Sequence, residues 1–168
     1  MEIWDLYDEN RNCLGRTHIR GEALPEGSFH LVVHVWITDG NGNYLISQRA
    51  ASRPTFSLKW ECVGGSVVAG ENSLTGALRE TKEEVGVDLD ASGGKILFTK
   101  VRSVINGKSY NDIMDVCLFR YEGSVDLANA TTDEVAQVKW MTVEEIKALD
   151  KSGDLVENLR YFFTQVAE

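Results

Sequence analysis

The sequence predicts an α+β sandwich with a mixed β-sheet, and two patterns lead to this prediction. First, short runs rich in β-branched and aromatic residues recur along the chain, separated by Asp, Asn and Gly turn signals. Second, only a few stretches show the apolar spacing of a helix, and they lie between or after those runs. Strands mostly joined by hairpins, with a few helices packed on them, are typical of this class.

The first half of the chain predicts two hairpins. An N-terminal hairpin covers residues 1–22, with EIWDLYD and CLGRTHIRG as strands and ENRN as the turn. Residues 29–38 predict the next strand, and NYLISQRA predicts its partner across DGNGN. Asp-Gly and Asn-Gly between apolar runs are strong hairpin signals. ASRPTFSLKW then predicts a loop and ECVGGSV a short extended segment.

The second half alternates strands and helices. We expect a helix over residues 72–86, followed by strands KILFTKVRSVI and YNDIMDVCLFRYEG around Asn106-Gly107. AQVKWMT predicts a further strand. The C-terminal region, 142–168, predicts two helices, and the second of these covers residues 154–166.

The first of the two C-terminal helices has clear signals at both ends. Thr142 and Glu145 have the spacing of an N-terminal capping box, and Gly153 suits the position just after the helix. The whole chain of 168 residues is expected to form a single domain, since this length suits one compact core.

Composition limits the classes of ligand. The formal net charge of −9 argues against nucleic-acid or anionic-membrane binding through a broad basic patch. No apolar run approaches the roughly 20 residues of a membrane span, and the N-terminus does not resemble a signal peptide. Three cysteines with irregular spacing favour neither a disulfide framework nor a cysteine zinc site, so we expect a cytoplasmic protein. An anionic ligand would need a divalent metal between it and this acidic chain.

The helix predicted over residues 72–86 crowds like charges together. Its apolar face carries Leu74, Ala77, Leu78, Thr81 and Val85, with Asn72 or Ser73 as the N-cap and Gly86 after the end. Glu80, Glu83 and Glu84 repel each other at helical spacing, and acids in the last turn oppose the helix dipole. A solvated acidic face is one explanation. A divalent cation held by the three carboxylates is the other, because Mg²⁺ and Mn²⁺ prefer oxygen ligands.

Residues 65–87 decide between these explanations, because they resemble the Nudix box, G-x5-E-x7-R-E-U-x-E-E-x-G-U with U aliphatic. Eight fixed positions match in register, and Thr81 is the one departure, at a slot where the family has an aliphatic residue. That slot lies on the buried face, where the Thr81 hydroxyl can bond to the Ala77 carbonyl. The matching positions are Gly65, Glu71, Arg79, Glu80, Glu83, Glu84, Gly86 and Val87.

The resemblance implies the Nudix fold, an α/β/α sandwich, and Mg²⁺-dependent cleavage of a small-molecule diphosphate by metal-activated water. Mn²⁺ is a possible substitute. Glu80, Glu83 and Glu84 would ligate the metal with the Gly64 carbonyl. Arg79 would orient them together with Glu71, which the loop can bring back to Arg79 as a salt bridge. Proteins of this family are frequently dimers, so a homodimer is compatible with the resemblance, while the sequence leaves the oligomeric state open.

The general base is often placed outside the box in this superfamily. Glu134, in TTDEVAQVKW, falls where a family glutamate is common. Asp115, in YNDIMDVCLF, is the second candidate, and an acid among apolar strand residues needs a partner if it points inward. The sequence leaves the choice between them open.

Residues 2–145 resemble the branch of the family that includes isopentenyl-diphosphate isomerases. The isomerase loop carries a catalytic cysteine followed by a metal-binding histidine, whereas KWECVGGSV has Gly64 and Ser66 at those positions. Cys62 is shifted by two residues, while His30 matches another isomerase metal ligand and Asp115 falls near an acidic one. Because the box glutamates are complete and the Cys–His pair is missing, we expect hydrolysis. An isomerase-like enzyme and a catalytically silent binding module are the alternatives.

The sequence says less about the substrate. Basic residues flank the loop before the box, and three other side chains lie near it or match the isomerase site. Packing or solvation is the alternative role for each of them. The candidate substrate-binding residues are Arg49, Arg53, Lys59, Trp60, His30 and Asp115.

Overall fold

The computed structural model describes residues 1–105 and 107–167. It confirms the predicted α+β class, with a mixed sheet and an N-terminal antiparallel hairpin. The strands are β1 (Ile3–Tyr7), β2 (Cys13–Ile19), β3 (His30–Thr38), β4 (Asn43–Arg49), β5 (Trp60–Glu61), β6 (Val63–Ser66), β7 (Gly94–Ile105), β8 (Lys108–Arg120) and β9 (Val135–Thr142). The helices are α1 (Ser73–Val85), α2 (Val143–Ser152) and α3 (Phe162–Gln165), with 3₁₀ turns at Ala91–Gly93, Leu127–Asn129 and Glu157–Leu159.

Strand pairing divides the main sheet around β3. On one side β3 pairs with β8 in parallel, and β8 continues to β7. On the other side β6 pairs with residues 32–35 of β3, and β4 pairs with β3 at Thr38 and Tyr44, next to the turn. The β3–β4 turn is therefore present, but β4 pairs mainly with β5 and β9. The division leaves an opening beside β5 and β6.

Two apolar clusters cover the two faces of the sheet. Leu31, Val33 and Val35 of β3 belong to the cluster that includes Ala77 and Val85 of α1. Trp36 belongs to the other cluster, together with Ile146 of α2 and Phe162 of α3. Alternate residues of a strand point to opposite faces, so β3 contributes to both. One helix on one face and two on the other confirm the layered α/β/α arrangement.

The ends of α1 and α2 follow the predicted signals. The Asn72 side chain accepts a bond from the Thr75 N–H, and Gly86 has a left-handed φ of 72° just after α1. Thr142 and Glu145 form the capping box of α2, and Gly153 has a φ of 80°. Caps of this kind satisfy backbone groups that a helix leaves unpaired at its ends.

The predicted final helix over residues 154–166 is wrong. This segment forms the 3₁₀ turn Glu157–Leu159 and then the short α3. The backbone at its start is bonded elsewhere, because Trp60 N–H donates to the Asp154 carbonyl and Val156 N–H donates to the Trp60 carbonyl. These bonds to β5 compete with helical pairing.

Of the predicted Asn106-Gly107 turn, Asn106 lies outside the described residues, and Gly107 has a φ of 77°.

Candidate active site

Strand β6 and the glutamates of α1 meet beside β3. Gly65 lies so close to Glu80 that a Cβ added there would be 2.4 Å from the Glu80 Cδ. A Cβ at Gly64 would instead lie 2.6 Å from the Val33 carbonyl oxygen. The two glycines therefore allow different close approaches, one to the Glu80 carboxylate and one to the backbone of β3.

Arg79 holds three of the predicted site residues together. Its Nε donates to Glu71 at 2.9 Å, as the sequence predicted, and its Nη1 donates to Glu80 at 2.8 Å and to Glu83 at 3.1 Å. Its Nη2 also donates to the Ser66 carbonyl at 2.9 Å. Burial lowers the pKa of Arg79, but hydrogen bonds to Glu71 and Glu80 outweigh it and raise the pKa above its ordinary value. Arg79 therefore stays cationic and orients the acids.

Glu84 lies apart from Arg79 and inside the protein. Only 7% of the residue is exposed. Burial raises the pKa of its carboxyl well above the ordinary value, and the negative charges of Glu80, Glu61 and Glu134 raise it further. A backbone hydrogen bond with Gly64 acts in the opposite direction. The sequence had placed Glu84 on the polar side of α1, whereas the structure buries it.

These residues fit a hard divalent cation, although they are not arranged around one. Across residues 1–105 and 107–167, no three His, Cys, Asp or Glu side chains stand close enough together to hold a metal ion. Glu80 and Glu83 each bond Arg79 through one carboxylate oxygen, which leaves the other oxygen outside these bonds. The donors are all oxygens, and buried Glu84 lies among other acids. Such a donor set suits Mg²⁺ or Mn²⁺.

Beside Gly64 and Gly65 opens a cleft of about 330 Å³, which we call the arginine cleft. Arg20 reaches it from the end of β2, Arg49 from β4, Arg53 from the following loop and Arg102 from β7. Each of these arginines is paired with a carboxylate. The pairs are Arg20–Glu2 at 2.7 Å, Arg49–Glu61 at 2.6 Å, Arg53–Glu134 at 3.0 Å and Arg102–Asp112 at 2.7 Å.

Sequence reasoning missed several of these residues. Arg20, Glu61 and Arg102 were not predicted, although they line the arginine cleft. Burial raises the pKa of Glu61, while the charge of Arg49 opposes that shift. Glu61 lies three residues before Gly64, and this closeness to the two glycines was the only sequence signal that it belongs to the site. Nothing in the local sequence around Arg20 or Arg102 indicates a cleft.

Of the predicted substrate-binding residues, Arg49 and Arg53 line the arginine cleft, whereas Lys59, Trp60, His30 and Asp115 do not. Trp60 belongs to the core cluster beneath α2. His30 is buried and stacks on Trp4, with 3.8 Å between ring centroids, and burial lowers its pKa to about 4. The substrate-binding role of these four residues stays a prediction that the cleft does not support, because the sequence does not say to which face of a strand a side chain points.

Asp115 is also poorly placed for the base or substrate-binding role. Its side chain is fully buried, and Arg11 binds it at 2.9 and 2.6 Å while Thr99 donates a short hydrogen bond. Burial favours a raised pKa, but hydrogen bonds from Arg11, Ser73 and Thr99 outweigh it and lower the pKa of this carboxyl. Asp115 anchors the N-terminal hairpin to β8 and the start of α1. Asp115 therefore points inward and has the partner that a buried acid needs, which is one of the two orientations that the sequence left open.

The two β6 glycines, Gly64 and Gly65, support a test of the site. We expect Gly65→Ala to lower turnover at least about tenfold with little loss of stability, because the new Cβ displaces only the flexible end of Glu80. Gly64→Ala should instead lower the free energy of unfolding by about 1–3 kcal/mol, because its Cβ meets the β3 backbone. Urea unfolding and turnover measured on both variants separate the two effects. A fully active Gly65→Ala protein would contradict the assigned position of Glu80.

Comparisons with known proteins agree on one family. The NUDIX domain profile matches residues 28–164. An uncharacterised Nudix hydrolase of Listeria monocytogenes is 37% identical over 166 residues, covering 97% of this chain and 91% of that protein. The nucleoside triphosphatase NudI of an Enterobacter species is 30% identical over 134 residues, covering 77% of this chain and 91% of that protein.

A solved structure supports the fold over nearly the full chain. The protein DR0079 of Deinococcus radiodurans superposes with a TM-score of 0.75 at 20% identity, covering 98% of this chain and 99% of that one. Its similarity therefore includes the N-terminal hairpin, which precedes the residues matched by the family profile.

Proposed function

The chain belongs to the NUDIX domain family, and from that premise we propose that it is a divalent-metal-dependent hydrolase of organic diphosphates. It would cleave the pyrophosphate linkage of a nucleoside diphosphate derivative or of another organic diphosphate. One observation carries the proposal: buried Glu84 lies at the Gly64 backbone and Glu80 lies against Gly65, and both glycines line a cleft that four arginines of the described residues also line. Acids suited to a cation and arginines suited to phosphates stand next to each other.

The residues of the chain have distinct roles in this proposal. When bound, Mg²⁺ or Mn²⁺ polarises phosphoryl oxygens and lowers the pKa of coordinated water. Glu80, Glu83 and Glu84 would hold the cation with the Gly64 carbonyl, and Arg79 would keep Glu80 and Glu83 in position with help from Glu71. The arginines of the cleft bind the phosphates, since guanidinium groups match phosphate geometry in a bidentate manner.

Glu134 is the better supported candidate for the general base. It pairs with Arg53, which lines the arginine cleft, and its negative charge acts on both Glu61 and Glu84. A base must lie within reach of the water whose proton it accepts. Asp115 lacks such a position because it is bound to Arg11 in the core.

A substrate panel tests the proposed function. Nucleoside triphosphates, ADP-ribose, nucleotide sugars, dinucleoside polyphosphates and isoprenoid diphosphates are each incubated with Mg²⁺ or Mn²⁺. We expect at least one compound to yield phosphate-containing products, identified by mass, and we expect a chelator to abolish them. Metal binding without turnover on the whole panel would favour the silent binding module instead.

An isomerase-like activity is the second candidate, because Cys62 lines the arginine cleft and residues 2–145 resemble the isomerase branch. Burial raises the pKa of the Cys62 thiol well above its ordinary value, so the thiol stays protonated. Gly64 and Ser66 still occupy the positions of the isomerase cysteine and histidine. Proton exchange on an isoprenoid diphosphate without phosphate release would establish this alternative.

Location and assembly also remain proposals. The three cysteines are free, which agrees with a reducing cytoplasm. Among the described helices, none is both long and apolar enough to cross a membrane. A homodimer is proposed from the family resemblance alone, and sedimentation of the purified protein would test it.

A further inference from the structure

The loop after β4 is joined to the residue before β9 by two independent contacts. Arg53 Nη2 lies 3.0 Å from Glu134 Oε2, and both side chains are partly exposed, at 25% and 35%. Separately, the Ala50 N–H donates to the Glu134 carbonyl oxygen at 2.8 Å. Because this backbone hydrogen bond still joins the two segments, the backbone of Glu134 stays in place when its ion pair with Arg53 breaks.

Arg53 is incompletely bonded. Its Nε is buried and has no hydrogen-bond partner among residues 1–105 and 107–167. A buried donor without a partner is unfavourable, so an oxygen arriving beside Arg53 would relieve this cost. A phosphate offers several such oxygens to a guanidinium group at once.

The other arginines of the cleft are poorer candidates for exchange. Two of them are bonded more tightly, and the third is more exposed. Arg102 holds Asp112 with two bonds of 2.7 Å, and both side chains are buried. Arg49 binds Glu61 at 2.6 Å and the Thr55 carbonyl at 2.9 Å. Arg20 is 55% exposed and pairs with Glu2. Arg53 combines the longest of the four ion pairs with an unpaired buried donor, so exchange is easiest there.

Glu134 is also close to the acids that the exchange would affect. Its charge acts on Glu84 of α1 and on Glu61 of β5. In the present arrangement Arg53 offsets that charge. If Arg53 turned to a phosphate, the Glu134 carboxylate would lose its cationic partner next to the site where the water must be deprotonated.

We propose that the phosphate of a diphosphate substrate displaces Glu134 from Arg53, so that substrate binding itself frees the general base. The inference rests on the proposed function. In the step that follows, the water oxygen forms a bond to phosphorus and the bridging P–O bond breaks. The electron pair of that bond goes to the leaving phosphate group, and the proton of the water goes to the Glu134 carboxylate. Arg53 is thus a positioning residue as well as a phosphate ligand.

Binding of methylenebisphosphonate, a non-hydrolysable pyrophosphate analogue, tests the exchange by calorimetry in Mg²⁺. Glu134→Gln should bind it about two- to fivefold more tightly, because Arg53 no longer has to leave a charged partner. Arg53→Met should bind it about 10- to 100-fold more weakly, because a charge-assisted contact is lost. The double variant should match Arg53→Met within about twofold, since Glu134 acts on binding only through Arg53.

Kinetics on a compound from the substrate panel complete the test. Glu134→Gln should lower kcat by about 10²- to 10⁴-fold, as expected for loss of a general base. Arg53→Met should raise KM by a larger factor than it lowers kcat. Arg160→Met serves as the control, because its ion pair with Asp150 lies outside the arginine cleft. Thermal melting of each variant verifies that it folds.

Two outcomes would overturn the exchange. If Glu134→Gln binds the analogue no more tightly than the wild type, the ion pair only ties the loops together. If the double variant binds more tightly than Arg53→Met, Glu134 acts on the phosphate without Arg53. Absence of hydrolysis across the substrate panel would instead refute the proposed function, while the calorimetry still decides whether Arg53 exchanges partners.

Discussion

Replacing Glu84 by glutamine is expected to lower turnover by about 10²- to 10⁴-fold while leaving the fold intact. The carboxylate is the most buried of the three α1 glutamates proposed to hold the cation. Losing one charged oxygen ligand removes several kcal/mol of stabilisation of the developing phosphoryl charge, and about 1.4 kcal/mol corresponds to a tenfold change in rate. Glutamine keeps the shape of the side chain, so the packing of α1 is retained.

The same substitution should stabilise the metal-free protein. Burial and the nearby Glu80 raise the pKa of the Glu84 carboxyl in the folded state. The pKa of a glutamate in the unfolded chain is about 4.3. Because the folded pKa is higher, the folded protein loses stability relative to the unfolded chain as pH rises above that value. The melting temperature of the Glu84→Gln protein should therefore exceed that of the wild type at neutral pH, with a smaller difference in acid.

The control for both effects is Glu144→Gln, at an exposed position in the first turn of α2. This change should leave turnover and the effect of Mg²⁺ on melting as in the wild type. In the Glu84→Gln protein, the Mg²⁺-dependent rise in melting temperature should be reduced or lost. Unchanged turnover in that protein would refute the assignment of Glu84 to the metal site.

Arg11→Met is expected to lower the free energy of unfolding by about 3 kcal/mol at neutral pH. The change leaves the fully buried Asp115 carboxylate without its cationic partner, which is a strongly destabilising arrangement. We expect the lower end of the usual range because the Arg11 side chain is itself 38% exposed and partly screened by water. Urea unfolding at constant ionic strength measures the loss.

The pH dependence of this loss identifies its cause. In the wild type the folded structure lowers the pKa of Asp115 below its unfolded value of about 3.9. The ion pair therefore contributes its full stability above that pH, and this contribution is lost as pH falls through the folded pKa. Without Arg11, burial favours the protonated acid. The difference between wild type and variant should therefore begin to shrink above the unfolded value of about 3.9, as pH falls through the raised pKa of Asp115 in the variant. It should shrink further below that value, where the wild type loses the contribution of its ion pair.

A double variant separates charge from packing. Asp115→Asn in the Arg11→Met background removes the unpaired charge, so it should recover part of the lost stability. Arg160→Met, which breaks an exposed pair with Asp150, should cost at most about 1 kcal/mol. A loss in Arg11→Met that is constant with pH would contradict the role of the Asp115 charge.

Features that depend on neighbouring residues were predictable from the sequence. The α1 helix begins and ends within one residue of the predicted bounds, because Asn72 and Gly86 are strong cap residues. The Arg79–Glu71 ion pair and the bond from Thr81 to the Ala77 carbonyl were also predicted, and both are confirmed. The metal-binding role of Glu80, Glu83 and Glu84 stays a prediction.

Features that depend on distant partners were not predictable. The predicted final helix failed because Trp60, nearly a hundred residues earlier in the chain, takes the backbone groups of Asp154 and Val156. The β4 strand follows β3 after a tight turn, yet most of its pairing is with β9. Local hairpin signals give the turn but do not decide how far two strands remain paired.

By itself, the sequence determined the family, the capped helix that carries the glutamates and the two glycines before it, because those signals lie within the 24 consecutive residues 64–87. Only the tertiary structure decided that Glu84 is buried, that Asp115 anchors Arg11, and that Arg53 meets Glu134 beside the cleft. The physical reason is range: helix caps and i to i+4 contacts are set by neighbours in the chain. Burial and ion pairing between separate strands and loops exist only once the sheet has brought them together.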